Sequence, residues 1–230
     1  MQQKKQKNIY YAANAKSKPL LTRFITKFVG LIARVLYRPK YHNQKYIPLE
    51  QSYMLLGNHH SLLDPVLIHL GIPDYVHWVA KEELFKIPVL SRILEKLEII
   101  PLHRGRVDLS AMRRIIKCLQ EEKIIGIFPQ GGRVDWENYQ SIMPQAGVAS
   151  IVNRYQAVIV PFYCQTPYKI FRKNHVYFGA PYCLNPSLNF KDKKAMNQEM
   201  AIELLRQSYS IADVSYQIQD NSRVLELNNS

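Results

Sequence analysis

The stretch YMLLGNHHSLLDPVLIHL, residues 53–70, decides the fold. It opens as a short apolar run and breaks at Gly57 and Asn58. It resumes behind a serine and an Asp–Pro pair as a second apolar stretch. A run of that length ending in glycine reads as a buried strand, and the segment behind Ser61 reads as a helix over 62–70. The same rhythm repeats downstream. Strands are predicted at 53–58, 75–81, 98–103, 123–129, 157–164 and 175–180, all rich in β-branched and aromatic residues. Helices are predicted at 62–70, 88–96, 108–121, 146–154 and 193–208. Asp108 is placed to cap LSAMRRIIKCLQ, whose Met112, Ile115, Ile116 and Leu119 form one apolar stripe. Such alternation predicts an α/β domain over residues 41–210, with a mostly parallel or mixed sheet flanked by helices.

The segments on either side differ in character. Residues 1–18 form a basic arm expected to be mobile, and the polar tail 211–230 is expected to fray. Residues 19–40 hold LLTRFITKFVGLIARVLYR, an amphipathic helix stopped by Pro39. Leu21, Phe24, Ile25, Phe28, Leu31, Ile32, Val35 and Leu36 share one face, and Arg23, Lys27, Arg34 and Arg38 lie opposite. Such a helix can pack on a core or lie in a membrane interface. No window is apolar enough to span a bilayer, and the N-terminus is not a secretory signal.

Composition narrows the partners. Lys+Arg number 31 against Asp+Glu 18, a net charge of +13 over 230 residues. The excess favours anionic partners such as nucleic acid, lipid headgroups or phosphorylated molecules, or else is a merely soluble basic surface. A hydrophobic fraction of 47% excludes general disorder. Cys118, Cys164 and Cys183 are widely spaced and read as free thiols in a reducing compartment, none in a nucleophile's setting.

Four strand ends carry chemistry. After the first strand, His59 and Asp64 stand in H-x-x-x-x-D spacing at the carboxyl end of the strand, where open α/β sheets place their sites. The carboxylate can fix the imidazole tautomer and stabilise the imidazolium. Taken alone the pair could equally be a loop histidine with local hydrogen bonds. A metal site is disfavoured: His59 and His60 are adjacent, and His69, His77 and His103 lack ligand spacing. Lys81, Arg104, Arg106 and Arg133 follow other strands, Arg133 behind Gly131 and Gly132. Arginine forks and glycine N–H groups suit a phosphate.

The ordered set NHHSLLD, VAKEELFKIPVL with IIPLHR, IFPQGGR and VIVPFYC resembles the glycerolipid acyltransferases typified by 1-acylglycerol-3-phosphate acyltransferase, over about residues 50–165. The resemblance implies that His59 is the general base and Asp64 its orienting partner. It implies that Lys81, Arg104 and Arg133 hold the acceptor phosphate, with Gln130 and Gly131 also lining the acceptor's site. Acyl-CoA or acyl carrier protein would be the co-substrate, with no metal or other cofactor and no nucleic acid partner. Residues 19–40 would then be an interfacial helix on an anionic membrane surface, the protein being peripheral or monotopic on the cytoplasmic side. The chain departs from the family's F-P-E-G-T-R block at Gln130 and Gly132, which opens the alternative of a different acceptor, either another lysophospholipid or a non-phosphorylated lipid alcohol. A non-catalytic basic lipid-binding protein is the competing class. Backbone N–H groups of Gly131 or Gly132 are candidate oxyanion donors. The apolar stripe Leu90, Ile93, Leu94 and Leu97 is either a core helix face or part of an acyl groove.

Overall fold

A computed structural model describes residues 20–49, 51–103, 108–184 and 192–218, with side chains from residue 27. Arg104 and Arg106, the basic arm and the last twelve residues of the tail lie outside them. In chain order the elements are α1 (Leu20–Tyr37), β1 (Pro39–His42), β2 (Met54–Gly57), α2 (Asp64–His69), β3 (Val76–Lys81), α3 (Pro88–Lys96) and β4 (Ile100–Leu102). They continue with α4 (Leu109–Gln120), β5 (Ile124–Ile127), α5 (Ala146–Tyr155), β6 (Ile159–Cys164), β7 (Asn174–Phe178) and α6 (Lys193–Ser210).

The strands form one mixed sheet in the order β1-β7-β6-β2-β5-β3-β4. Every neighbouring pair is parallel except β6 with β7. Alternate residues of each central strand feed opposite faces, as the two-residue period of a strand requires. Met54, Leu56, Ile125, Ile127 and Ile159 pack under Ile115 of α4, Val148 and Val152 of α5, and Leu204 of α6. Leu55, Ile124, Val160, Phe162 and Phe178 pack against Leu67 and Ile68 of α2 and Ala33 of α1. Strands β2, β5 and β6 are buried along their whole length, so they read as apolar runs without alternation. Asp108 caps α4 as its position predicts, accepting from Ala111 N at 3.0 Å and His103 N at 2.8 Å.

Three features depart from the sequence reading. β1 is an extra edge strand, PKYH, too short and too exposed to carry a strand's pattern. The folded body runs past residue 210: Tyr216 is 2% exposed and stacks on Tyr209 at 5.0 Å, so residues 211–218 are not a free tail. Helix α3 has no buried residue, because it follows β3 near the far edge of the sheet, with Val89 and Ile93 exposed. Of its stripe, Ile93 is exposed and Leu90, Leu94 and Leu97 are only partly buried, so it is not a fully buried core face.

Candidate active site

β2, the central strand, brings the chain to the site. Gly57 lies so close to β6 that an added Cβ would meet Phe162 O at 2.2 Å, so only glycine ends the strand here. Asn58 is fully buried and braces the exit. It donates to Cys164 O at 2.9 Å and accepts from Cys164 N at 2.8 Å.

His59 and Asp64 then meet, Nδ1 to Oδ2, at 2.9 Å. A carboxylate only accepts, so the imidazole carries its proton on Nδ1 and keeps the Nε2 lone pair. Asp64 has no exposed surface. Its charge is met by three further donors: His60 N and Ser61 N, each 2.8 Å from Oδ2, and Tyr168 OH, 2.7 Å from Oδ1. The two backbone donors are those at the turn leading into α2, whose dipole also favours the negative charge. Burial, then nearby Cys164 and Asp64, raise the Tyr168 pKa far above the phenol range, so Tyr168 stays a neutral donor. The His59 ring stacks on Phe128 with centroids 3.8 Å apart and leaves 15% of its side chain exposed.

His60 points elsewhere. Its Nδ1 faces Val134 O at 2.5 Å, and its Nε2 faces Tyr209 OH at 3.1 Å. The carbonyl fixes the proton on Nδ1, so the hydroxyl donates to Nε2. Val134 N also donates to His59 O at 2.8 Å. One residue of the loop after β5 thus ties down both histidines, joining the NHHSLLD and IFPQGGR segments.

The other sequence-predicted residues are placed less tightly. Lys81 ends β3, 43% exposed, with Nζ 3.1 Å from Glu83 Oε1. Arg133 is exposed. Gln130 is only 5% exposed; its Nε2 donates to Tyr139 O at 3.0 Å, and its Oε1 is buried with no donor among the described residues. Gly131 adopts φ 74, and its N–H closes a turn onto Phe128 O at 2.9 Å. That N–H is spent, which removes it as an oxyanion donor. No group of three metal-ligating side chains occurs among the described residues. Sequence reasoning missed Phe128 and Val134, which follow β5, and Tyr168, which follows β6; no spacing singles them out because they reach the dyad only through the fold.

Known proteins place this arrangement in context. The chain is 29% identical over 129 residues to the 1-acyl-sn-glycerol-3-phosphate acyltransferase of Bacillus subtilis, covering 56% of this chain and 63% of that protein. It is 27% identical over 121 residues to the enzyme of that name from Helicobacter pylori, covering 51% and 50%. The chain thus spans less than two thirds of the length of the curated relatives it matches. The fold is that of the crystal structure of the 1-acyl-sn-glycerophosphate acyltransferase PlsC from Thermotoga maritima, with a TM-score of 0.58 at 20% identity, covering 84% of this chain and 81% of that one. The acyltransferase family model matches residues 38–165, more than half of the sequence and including His59 and Asp64, and the chain belongs to that family.

Proposed function

We propose that this protein transfers an acyl group from a thioester, acyl-CoA or acyl carrier protein, to the hydroxyl of a lysophospholipid such as 1-acylglycerol 3-phosphate. The observation that carries the reading is the buried, four-fold hydrogen-bonded Asp64 carboxylate 2.9 Å from His59 Nδ1. Nothing in ordinary packing calls for a charge held there. It fixes the tautomer and orientation of His59, leaving Nε2 to take a proton as a general base does.

In the proposed step Nε2 takes the acceptor's hydroxyl proton as the oxygen attacks the thioester carbonyl. The oxyanion collapses, the carbon–sulfur bond breaks, and the thiolate takes the proton back from the imidazolium. Asp64 stabilises that imidazolium throughout. Gly132 N–H, which has no acceptor among the described residues, is the remaining oxyanion donor of the glycine pair. Lys81 and Arg133 are assigned to the acceptor phosphate, with Arg104. Gln130, with its Oε1 buried, stands where the family pattern has a carboxylate.

The acceptor is a membrane lipid, and α1 is assigned as the membrane seat. Its small residues face inward, with Ala33 5% exposed, while Leu31 and Val35 are 60% and 58% exposed. No described helix is long and apolar enough to cross a membrane, which fits a helix lying in the interface. The test is thiol release from acyl-CoA with and without 1-acylglycerol 3-phosphate. Release that needs the acceptor supports the reading. No release with any lysophospholipid or lipid alcohol, from either thioester, overturns it.

A further inference from the structure

We infer that the cleft where α1 meets β1 binds the phosphate of an anionic phospholipid headgroup. The cleft is a shallow, open depression of about 440 Å³ lined by Arg34, Arg38, Pro39, Lys40, Tyr41 and Lys173. Four of these six are cations and none is acidic. No described residue forms an ion pair with any of the four. Like charges gathered around a concavity repel one another until an anion enters, and guanidinium forks match phosphate oxygens in pairs.

All four cations are exposed, but the backbone segments that carry them are fastened together. Asn174, 4% exposed, points Nδ2 at Tyr37 O at 2.5 Å, Lys169 O at 2.9 Å and Arg172 O at 3.1 Å. Phe171 N donates to Leu36 O at 2.6 Å. These bonds fasten the β6–β7 connection, with Lys173, to the end of α1. Arg38 sits at φ 42, a left-handed conformation that suits glycine or asparagine and strains an arginine. The negative end of α1 accounts for arginines at 34 and 38. It does not account for Lys40 on a strand or Lys173 on a loop.

A lipid, rather than a free phosphate, is indicated by what borders the cations. Ile170 and Phe171, 55% and 62% exposed, project from the same connection, and Leu31 and Val35 project from α1. Charges between apolar tips match a bilayer surface, where phosphates lie above acyl chains. The register also matters. Pro39 pairs with Asn174, and Val176 with Cys164, so the cleft opens at the sheet edge that presents His59. A headgroup bound there turns that edge to the membrane. None of the lining residues belongs to the Asp64 hydrogen-bond network, so the inference does not depend on the proposed reaction.

The test is co-sedimentation of the full chain with phosphatidylcholine vesicles, with and without phosphatidylglycerol. Arg38→Asn with Lys173→Gln removes two charges while suiting the left-handed backbone. It should weaken binding to the anionic vesicles roughly thirtyfold. Arg113→Gln with Arg114→Gln removes two exposed charges from α4 and should cost a few-fold at most. Equal losses in the two pairs would overturn the site. Arg38→Lys with Lys173→Arg, which keeps the charges and moves the guanidinium fork, should lose far less binding than the neutral pair; an equal loss would show that charge is not what holds the headgroup. Circular dichroism and melting temperature establish that each variant is folded. Inorganic phosphate should release the protein no better than chloride of equal ionic strength; specific release would make free phosphate the ligand and overturn the lipid assignment. Thiol release with a soluble, short-chain acceptor should survive in the cleft variant. Its loss would put the cleft in the catalytic machinery instead.

Discussion

The loop after β2 and the loops after β3 and β5 lie at one sheet edge, yet they are built on different terms. At the first, a buried carboxylate takes four donors within 2.9 Å, two of them backbone N–H groups. At the second, Lys81 is half exposed and paired with Glu83, and Arg133 is exposed. The first arrangement is complete before any ligand arrives. The second consists of long, solvated side chains that gain fixed geometry only around an anion. Under the proposed reaction, one preorganises a base and the other is suited to catching a charged substrate, at the cost of ordering flexible side chains on binding.

The sharpest way to break this contrast is His59→Ala. General-base catalysis is worth roughly 10²–10⁴-fold, so kcat should fall by that range with circular dichroism unchanged. A variant at wild-type rate would remove His59 from the chemistry. Asp64→Asn comes next. Its amide oxygen can occupy the three-donor position while its N–H₂ donates to Tyr168, whose hydroxyl can turn and accept. The fold is expected to survive, and the lost charge should lower kcat by about 10²-fold or more. A large drop in melting temperature with a normal specific activity would make Asp64 purely structural.

The cationic ends should respond differently. Lys81→Ala and Arg133→Ala should each raise KM for a phosphorylated acceptor by about tenfold or more, the worth of a charge-assisted hydrogen bond. kcat, and KM for a non-phosphorylated acceptor, should hold. Equal losses for both acceptors would remove the phosphate assignment. Gln130→Glu tests the family departure inside the same loop. It would bury a carboxylate against Tyr139 O, which can donate nothing to it. A lowered melting temperature, by roughly 1–3 kcal/mol of stability, is expected. An unchanged melting temperature with a new acceptor preference would instead place Gln130 on the substrate.

How much of this was legible in the sequence follows the same division. The central strands were readable because complete burial leaves unbroken apolar runs, and α4 because Asp108 caps it. β1 was not, since four half-exposed residues acquire strand geometry only by pairing with β7. His59 and Asp64 were readable because five residues and one turn bring them together. Tyr168 was not: it reaches Asp64 across 104 positions by way of the antiparallel β6–β7 connection. The inward turn of Gln130 and the spent N–H of Gly131 are likewise tertiary facts. Local hydrogen bonding leaves a spacing in the sequence, and long-range bracing leaves none.

The adjacent histidine supplies the mildest test of the preorganised loop. Burial is the largest influence on His60 and lowers its pKa below 6.5, with the bond to Val134 O opposing. The neutral ring also fits its partners, donating to Val134 O and accepting from Tyr209 OH. A depressed histidine pKa means that the unfolded chain takes up a proton before the folded one does. The stabilisation is therefore complete above pH 6.5 and is lost as pH falls through the folded value. Melting temperature should fall between pH 7.5 and pH 5.5. His42, also lowered, contributes in the same direction. His60→Gln, which can still donate to one partner and accept from the other, should shrink the pH difference while changing the rate at pH 7.5 far less than His59→Ala. An undiminished pH difference in that variant would show that His60 is not held neutral, and that the loop's rigidity rests on Asp64 alone.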